Sequence, residues 1–493
     1  MPRDDLFRAR RSGPALAAWL VVLSTLAPAP LRAEPAGAHP AASASLPSDA
    51  EIRRMLQVRV DVQKRATGIV VAVTEPAGRR VVAYGVRNLT DRTPVDGDTV
   101  YDVGSLTKVF TALLLAQDVE GGRLSLDAPV RTCVPAASGF LAPHEGREVS
   151  FADLATHTSG LPLRPDNLVS KDPDDKYAGY SAEDLMAFLA GFKPTRAPGA
   201  AYDYSNVGFG LLGLALSRCD HADYASLLRE RITGPLRMTD TALEPTPAML
   251  RGEAGSYDVD FRPLPHWHMG ALAPAGGLRS TADDLLKFLD AALGRPPSPL
   301  TPALQALIAV ERPGGMPPAT AIALGWNIYR HGGREVVWKN GNVGGFRTFM
   351  GYERTTGTGV VALANMLTPE GADDIGLHLL DPSYPVNLRT PRVHHVVQLD
   401  AATLDRYVGV YRFPDDDADI ATVRRKGDHL VVVAPGSGPL PLYAEGEDRF
   451  FLKLADIELT FKDVVSGHAT RLVWNEGGTD QVGVRTGDAP DVK

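Results

Sequence analysis

From Asp49 to Gln63 apolar residues recur at helical spacing, and the texture then changes to two β-branched runs, Gly68-Ile-Val-Val-Ala-Val-Thr74 and Arg80-Val-Val-Ala-Tyr-Gly85. With Gly78 between them, the pair reads as a hairpin. The helical period returns from Ser105 to Asp118, carried by Val109, Leu113 and Leu114, and stops at Gly121-Gly122, a helix-terminating pair. Further helices are predicted over Ser181 to Leu189, Gly208 to Ser217 and Thr281 to Leu293, the last with Ser280 or Thr281 as N-cap. Strands return at Gly325 to Tyr329, Glu335 to Lys339, Arg347 to Tyr352 and Gly359 to Asn365. Strands at both ends with helices between them predict an α+β domain whose sheet joins the two ends of the segment.

Beyond Gln398 the pattern becomes short alternating runs, Ile420 to Val423, Leu430 to Val433, Arg449 to Leu452, Ile457 to Phe461 and Leu472 to Trp474. Such spacing predicts a separate all-β module, barrel-like in kind. Three prolines between Asp381 and Arg392 mark a linker. The opposite end begins with Arg3, Arg8, Arg10 and Arg11, an apolar stretch from Pro14 to Ala29, and small residues at Ala27, Ala29 and Ala33. That sequence of features is an export signal of the general secretory type, with no cysteine after it for a lipid anchor. The organisation read from the chain is therefore a signal peptide over 1–33, a spacer over 34–48, a catalytic domain over 49–380, a linker over 381–397 and a β domain over 398–493. A periplasmic or secreted location follows from the signal.

Composition adds exclusions. With 44% hydrophobic residues in 493, the chain can bury a large core and is not a disordered or disulfide-packed miniature protein. A formal charge of -8 leaves no diffuse basic surface for nucleic-acid phosphates, so the expected partner is a small molecule or peptide, with no nucleic acid. Past the signal no apolar run is long enough for a membrane-spanning helix. Cys133 and Cys219 are the two cysteines. In an oxidising compartment they either pair or stay buried and separate.

Several chemical motifs fail. No G-x-S-x-G elbow, H-E-x-x-H or G-x-x-x-x-G-K-[ST] occurs. His266 and His268 lack an evident third ligand, so a loop-packing role is expected. Asp415, Asp417 and Asp419 have calcium-loop spacing, but Ile420 and Lys426 stand where Gly and Glu are needed, which leaves a solvated acidic turn. Three elements remain. Ser105-Leu-Thr-Lys108 places a hydroxyl and an amine on one helix face, where a partly buried lysine can activate the serine. Its bland counterpart is a helix N-cap with a solvated lysine. Tyr204-Ser-Asn206 precedes an apolar helix. A tyrosine flanked by lysines can be held partly as phenolate and serve as general base, against the alternative of an Asx-type cap. Lys339-Asn-Gly341, followed by Asn342, ends a predicted strand, where glycine admits a substrate backbone and the next N–H can bind an oxyanion. His331-Gly-Gly333 is a rival third motif, set aside because a hairpin turn explains both glycines.

In this order and context the three motifs resemble those of the serine β-lactamase and penicillin-binding-protein superfamily. The resemblance is to the class C β-lactamase-like branch, with its D-Ala-D-Ala carboxypeptidases, D-aminopeptidases and esterases. It covers about Ile52 to Asn365 and includes His157-Thr-Ser-Gly-Leu-Pro162, Tyr204-Ser-Asn-Val-Gly208 and Gly276-Gly-Leu-Arg-Ser-Thr-Ala-Asp283. The resemblance implies a β-lactamase/transpeptidase-like fold and Ser105 as the acylated nucleophile. Lys108 and Tyr204 become its proton-transfer partners, Asn206 orients the substrate amide, and Lys339 supplies positive charge. Backbone N–H groups of Ser105 and Asn342 would form the oxyanion hole, beside Asn340 and Gly341, with no metal or cofactor. Asn340 departs from the Thr or His-x-Gly forms usual at the third motif, which weakens recognition of a carboxylate. From about Leu399 the chain resembles the lipocalin-like barrel appended to some members, Tyr407-Val-Gly-Val-Tyr411 fitting its opening strand. The implied activity is hydrolysis of a D-amino-acid peptide or small ester. The alternatives are a true class C-like β-lactamase and, in another class, a non-catalytic penicillin-sensing or cell-wall-binding protein.

Overall fold

The computed structural model describes residues 46–489, apart from 135–139, 141–142, 171, 173–174, 369–370, 415–419, 434–438, 454–455 and 477. The signal, most of the spacer and the Asp415, Asp417 and Asp419 turn lie outside the described residues. The chain divides into two compact units, one over Ala44–Thr390 and one containing Pro391–Lys493.

The first unit is built on an eight-stranded antiparallel sheet. Its strands are β1 (Gly68–Glu75), β2 (Gly78–Gly85), β3 (Arg312–Pro313), β4 (Ala321–Ile322), β5 (Asn327–His331), β6 (Arg334–Val343), β7 (Phe346–Glu353) and β8 (Thr358–Ala364), in the order β2-β1-β8-β7-β6-β5-β4-β3. Ile69 pairs with Ala364 and Thr74 with Gly359, so the sheet joins both ends of the segment as the pattern predicts. The five helices that matter here are α1 (Asp49–Gln57), α2 (Thr107–Glu120), α3 (Asn206–Cys219), α4 (Ala282–Ala292) and α5 (Asp373–Leu380). Thr281 caps α4 by accepting from the Asp284 N–H, which settles the choice between Ser280 and Thr281.

Burial on both faces explains why β1 reads as an unbroken apolar run rather than an alternating one. Val70 and Ala72 face the core shared with the helices, while Ile69, Val71 and Val73 face a second core closed by Ile52 and Leu56 of α1 and Ile375 and Leu379 of α5. On β6 the same period of two sends Val337 and Val343 to the helical side and Val336 and Trp338 to the other. Lys339 and Gly341 therefore share the helical side, and Asn340 the opposite one. The strand also runs four residues past the predicted end at Lys339, because the hairpin turns at Gly344-Gly345 and pairing with β7 continues to Val343. His331-Gly-Gly333 is a hairpin turn between β5 and β6, as expected.

α2 departs from its predicted amphipathic form: eleven of its residues, from Thr107 to Asp118, are buried, including Thr107, Lys108 and Thr111. It is a central helix, and its polar residues point at internal partners. Cys133 and Cys219 form a disulfide with Cα atoms 5.2 Å apart, joining the turn after Val130 to the last residue of α3.

The second unit is a closed eight-stranded antiparallel barrel in sequence order: β9 (Gly409–Arg412), β10 (Ile420–Lys426), β11 (His429–Val433), β12 (Leu440–Ala444), β13 (Arg449–Leu452), β14 (Ile457–Val465), β15 (His468–Glu476) and β16 (Thr479–Gly487), with β16 pairing β9. Inward residues come two apart, among them Val423, Leu430 and Val432, Leu459 and Phe461, and Leu472 and Trp474. Pro441 hid β12, and the polar residues of β16 hid that strand, from pattern reading. Among the described residues no helix is long and apolar enough to cross a membrane.

Candidate active site

Ser105 stands in a 3-10 turn, Gly104–Leu106, that leads into α2. No side chain caps α2, so the serine is not the helix cap of the bland reading. Its hydroxyl meets two catalytic candidates instead: the Tyr204 phenol donates to Ser105 Oγ at 2.7 Å, and Lys108 Nζ lies 3.0 Å from the same oxygen. Lys108 is completely buried, not solvated. Its amine also donates to Asn206 Oδ1 at 2.8 Å and to the Ala275 carbonyl at 2.6 Å. Burial first, and the Lys339 charge second, hold its pKa well below the ordinary lysine value. A neutral amine spends two N–H groups on the two carbonyl acceptors and aims its lone pair at the serine proton.

Asn206 opens α3, but Ser205 caps that helix by accepting from the Gly208 N–H at 2.8 Å. The Asx-cap alternative is thereby replaced by a contact to Lys108. Tyr204 is a departure from expectation. Both lysine amines lie over its ring face, Lys108 Nζ 4.9 Å and Lys339 Nζ 4.7 Å from the centroid. Burial raises the phenol above its ordinary pKa, the Ser105 hydrogen bond lowering it only in part. In the resting site the Tyr204 hydroxyl is a proton donor to Ser105 Oγ.

Lys339 is fully buried, and its Nζ has no hydrogen-bond partner among the described residues. Burial brings its pKa down to about 7, with Asp373 acting the other way. Next to the two-residue turn, Val343 and Phe346 exchange hydrogen bonds, so Asn342 and Arg347 form the open pair and the Asn342 N–H points out of the hairpin. There it meets the nucleophile turn: a Cβ on Gly104 would lie 3.0 Å from Asn342 N, and Gly104 has φ +54°. Only glycine suits that approach. Gly341 is needed for a reason different from the one expected. Its missing Cβ makes room for the Val103 carbonyl and the Thr348 hydroxyl of the chain itself, not for a substrate backbone. Asn340, on the other side of β6, donates from Nδ2 to Asp373 Oδ2 at 2.5 Å.

Two contributors escaped motif reading. His157 stacks on Tyr204 with centroids 4.3 Å apart and accepts from the Ser205 N–H through Nδ1 at 3.0 Å. Burial, then Lys339 and Lys108, keep it neutral; its stretch was visible in the sequence, its ring contact was not. Ala275 contributes a carbonyl, which no side-chain motif can signal. The loops around Lys176 and Trp267 are tied by Asp175, which accepts from the His268 N–H and contacts His268 Nδ1 at 2.7 Å. His268 thus has the packing role expected. His266 gains more than that: it stands within 4.8 Å ligand-atom spacing of Asp102 and Glu253. Arg279 reaches both carboxylates, at 2.9 and 2.7 Å, and supplies the positive charge that the pair demands.

Known proteins share the fold of the first unit. The sequence profile of the family described as Beta-lactamase matches residues 49–381, and that of a domain of unknown function, DUF3471, matches 394–485. A β-lactamase of Pseudomonas fluorescens is 26% identical over 360 residues, 65% of this chain and 95% of the relative. The D-alanyl-D-alanine-carboxypeptidase/endopeptidase AmpH of Escherichia coli K12 is 28% identical over 326 residues, 62% of this chain and 81% of the relative. The crystal structure of a class C β-lactamase from Rhodobacter sphaeroides superposes with a TM-score of 0.57 at 26% identity, covering 66% of this chain and 95% of that one. The chain belongs to the Beta-lactamase family and is a hydrolase of its serine β-lactamase and D-Ala carboxypeptidase-like kind.

Proposed function

We propose that the protein is an exported hydrolase that forms an acyl-enzyme on Ser105 and cleaves an amide or ester, its substrate a D-amino-acid peptide or a small ester. The observation that carries the reading is the convergence on one serine oxygen of a buried amine at 3.0 Å and a half-buried phenol at 2.7 Å. Ser105 Oγ attacks the substrate carbonyl as its proton passes to Lys108. The oxyanion is held by the N–H groups of Ser105 and Asn342. Tyr204 gives its proton to the departing amine or alcohol, the carbon–leaving-group bond breaks, and the phenol is restored from Lys108. Water then attacks the ester, its proton taken along the same path, and Ser105 leaves with that proton. Asn206 keeps Lys108 in place, and the unpaired Lys339 charge stabilises the developing negative charge.

Export is supported by the basic-then-apolar N-terminus and by the Cys133–Cys219 bridge, which belongs to oxidising compartments. The choice of peptide or ester over β-lactam rests on Asn340 in place of a hydroxyl and on the appended barrel. Intact-mass measurement with β-lactams, D-Ala-D-Ala peptides, D-aminoacyl amides and short esters tests the reading. Acyl adducts that vanish in Ser105→Ala are expected, with turnover of peptide or ester exceeding that of cephalosporins. Faster cephalosporin turnover makes it a β-lactamase instead. No adduct with any of these, or with a fluorophosphonate, makes it a non-catalytic binding protein.

A further inference from the structure

Two loops beside the catalytic residues carry charge that the reaction does not use. Residues 164–180 and 265–271 are fastened together where Asp175 accepts from the His268 N–H at 3.0 Å and the Tyr180 carbonyl accepts from the Ala271 N–H at 2.8 Å. Trp267 reaches from one loop to the end of β6: a Cβ on Gly344, two residues past the Asn342 donor, would lie 4.0 Å from its Cδ1 and Nε1. It also meets Tyr177 edge to face, with centroids 5.7 Å apart. Tyr177 is buried, and after burial itself its phenol adds to the raised pKa of Tyr204, so the two tyrosines belong to one cleft. Lys176 Nζ stands over the Trp267 ring, 5.1 Å from its centroid. The Lys176 side chain is exposed, and among the described residues neither Lys176 nor Arg164 forms an ion pair. Partial burial, then the Arg164 charge, lower the Lys176 pKa, and no carboxylate offsets them. The neighbouring Asp175 is buried and held by His268.

The direction of β6 decides which part of a substrate meets this rim. Lys339 lies over the Tyr204 ring, so a leaving group that takes the Tyr204 proton departs toward the Lys339 end of the strand. The acyl arm leaves the same carbon the other way, past Asn342 to the turn at Gly344-Gly345 and to Trp267. We propose that Lys176, seated on Trp267 and reinforced by Arg164, forms a subsite for a carboxylate on the acyl arm of the substrate. The inference rests on the acyl-enzyme reading above and deepens it, giving the acyl group an acidic end. Trp267 supplies a flat apolar wall for the chain in between, and the exposed amine selects the charge beyond it. From the Asn342 N–H the span is two residues of strand and the width of an indole, roughly 10 Å, so an acetyl group is too short to reach the amine.

The test uses the full-length protein with two substrates of matched length, the mono-4-nitrophenyl ester of suberic acid and the same ester with its far carboxyl methylated. Release of 4-nitrophenol is read and corrected for spontaneous hydrolysis. The wild-type protein is expected to prefer the carboxylate by about five-fold in kcat/KM, the reach of an exposed ion pair, mainly through KM. That preference should fall at least about two-fold between about 50 mM and 500 mM salt. Lys176→Met, which keeps a chain on the Trp267 face, should abolish the preference while changing the methyl ester less than about two-fold, and Lys176→Arg should retain it. Should Lys176→Met not fold, the wild-type preference and its fall with salt decide the matter. No preference for the carboxylate, a preference indifferent to salt, or one that survives Lys176→Met overturns the inference. Fluorophosphonate labelling separates the two failures. A labelled Ser105 without discrimination sinks only the role of Lys176, whereas an unlabelled Ser105 sinks the acyl-enzyme reading with it.

Discussion

Two lysines face one tyrosine ring, and the charge of Lys339 bears on Lys108. Lys339 is the second cause of the lowered Lys108 pKa, after burial. In Lys339→Met the Coulombic part disappears and Lys108 becomes harder to deprotonate. Because the base must be neutral, the acid limb of the kcat/KM profile should move upward by about one pH unit, with kcat/KM lower at pH 7. An acid limb that stays in place would mean that Lys108 is not the titrating base. His157 is a positioning residue by the same geometry, touching Tyr204 but no reacting atom. His157→Gln, which can keep an acceptor for the Ser205 N–H, should lower kcat by about ten-fold or more with little change in KM. A loss confined to KM would instead make it part of the substrate pocket. At this scale the sequence was a good guide to which residues meet, since Ser105, Lys108, Tyr204 and Asn206 do. It carried no measure of desolvation, which raises the Tyr204 phenol above its ordinary pKa.

Among elements, β6 and the turn before α2 are held at a spacing that a methyl group would spoil. Gly341→Ala would push a Cβ into the Val103 carbonyl and the Thr348 hydroxyl, both backed by buried chain. A loss of about 1–3 kcal/mol is expected, seen as a lower Tm, together with slower acylation because the Asn342 N–H shifts from the nucleophile turn. An unchanged Tm would show that β6 can retreat. The long apolar runs of β1 and β8 were legible because both faces are buried and Ile69 to Val73 and Val360 to Ala364 are all apolar. Two-residue strands such as β3 and β4 carry too few residues for any period. The end of β6 was missed because Asn340, Gly341 and Asn342 carry no strand signal.

For the molecule as a whole, the Cys133–Cys219 bridge closes an 86-residue separation. Replacing both with serine should cost about 2–4 kcal/mol, measured by chemical denaturation, and reductant should lower the Tm of the wild-type protein alone. Every residue placed around Ser105 belongs to the unit Ala44–Thr390. We propose that this unit carries the chemistry by itself. A chain ended after Thr390 should still label at Ser105 with a fluorophosphonate at a rate within about three-fold of the full chain, and loss of labelling would make the barrel necessary to the site.

Sequence by itself determined the longer strands and helices, the barrel character of the C-terminal segment and the three motifs, because local periodicity and short spacings record what each segment buries and what it carries. Only the tertiary structure decided which side of β6 each motif residue faces, that Lys108 and Lys339 share one tyrosine ring, and that Asp373 claims Asn340. Those facts depend on desolvation and on contacts across separations such as the 98 residues from Lys108 to Asn206. Neither quantity is written in the neighbourhood of any single residue.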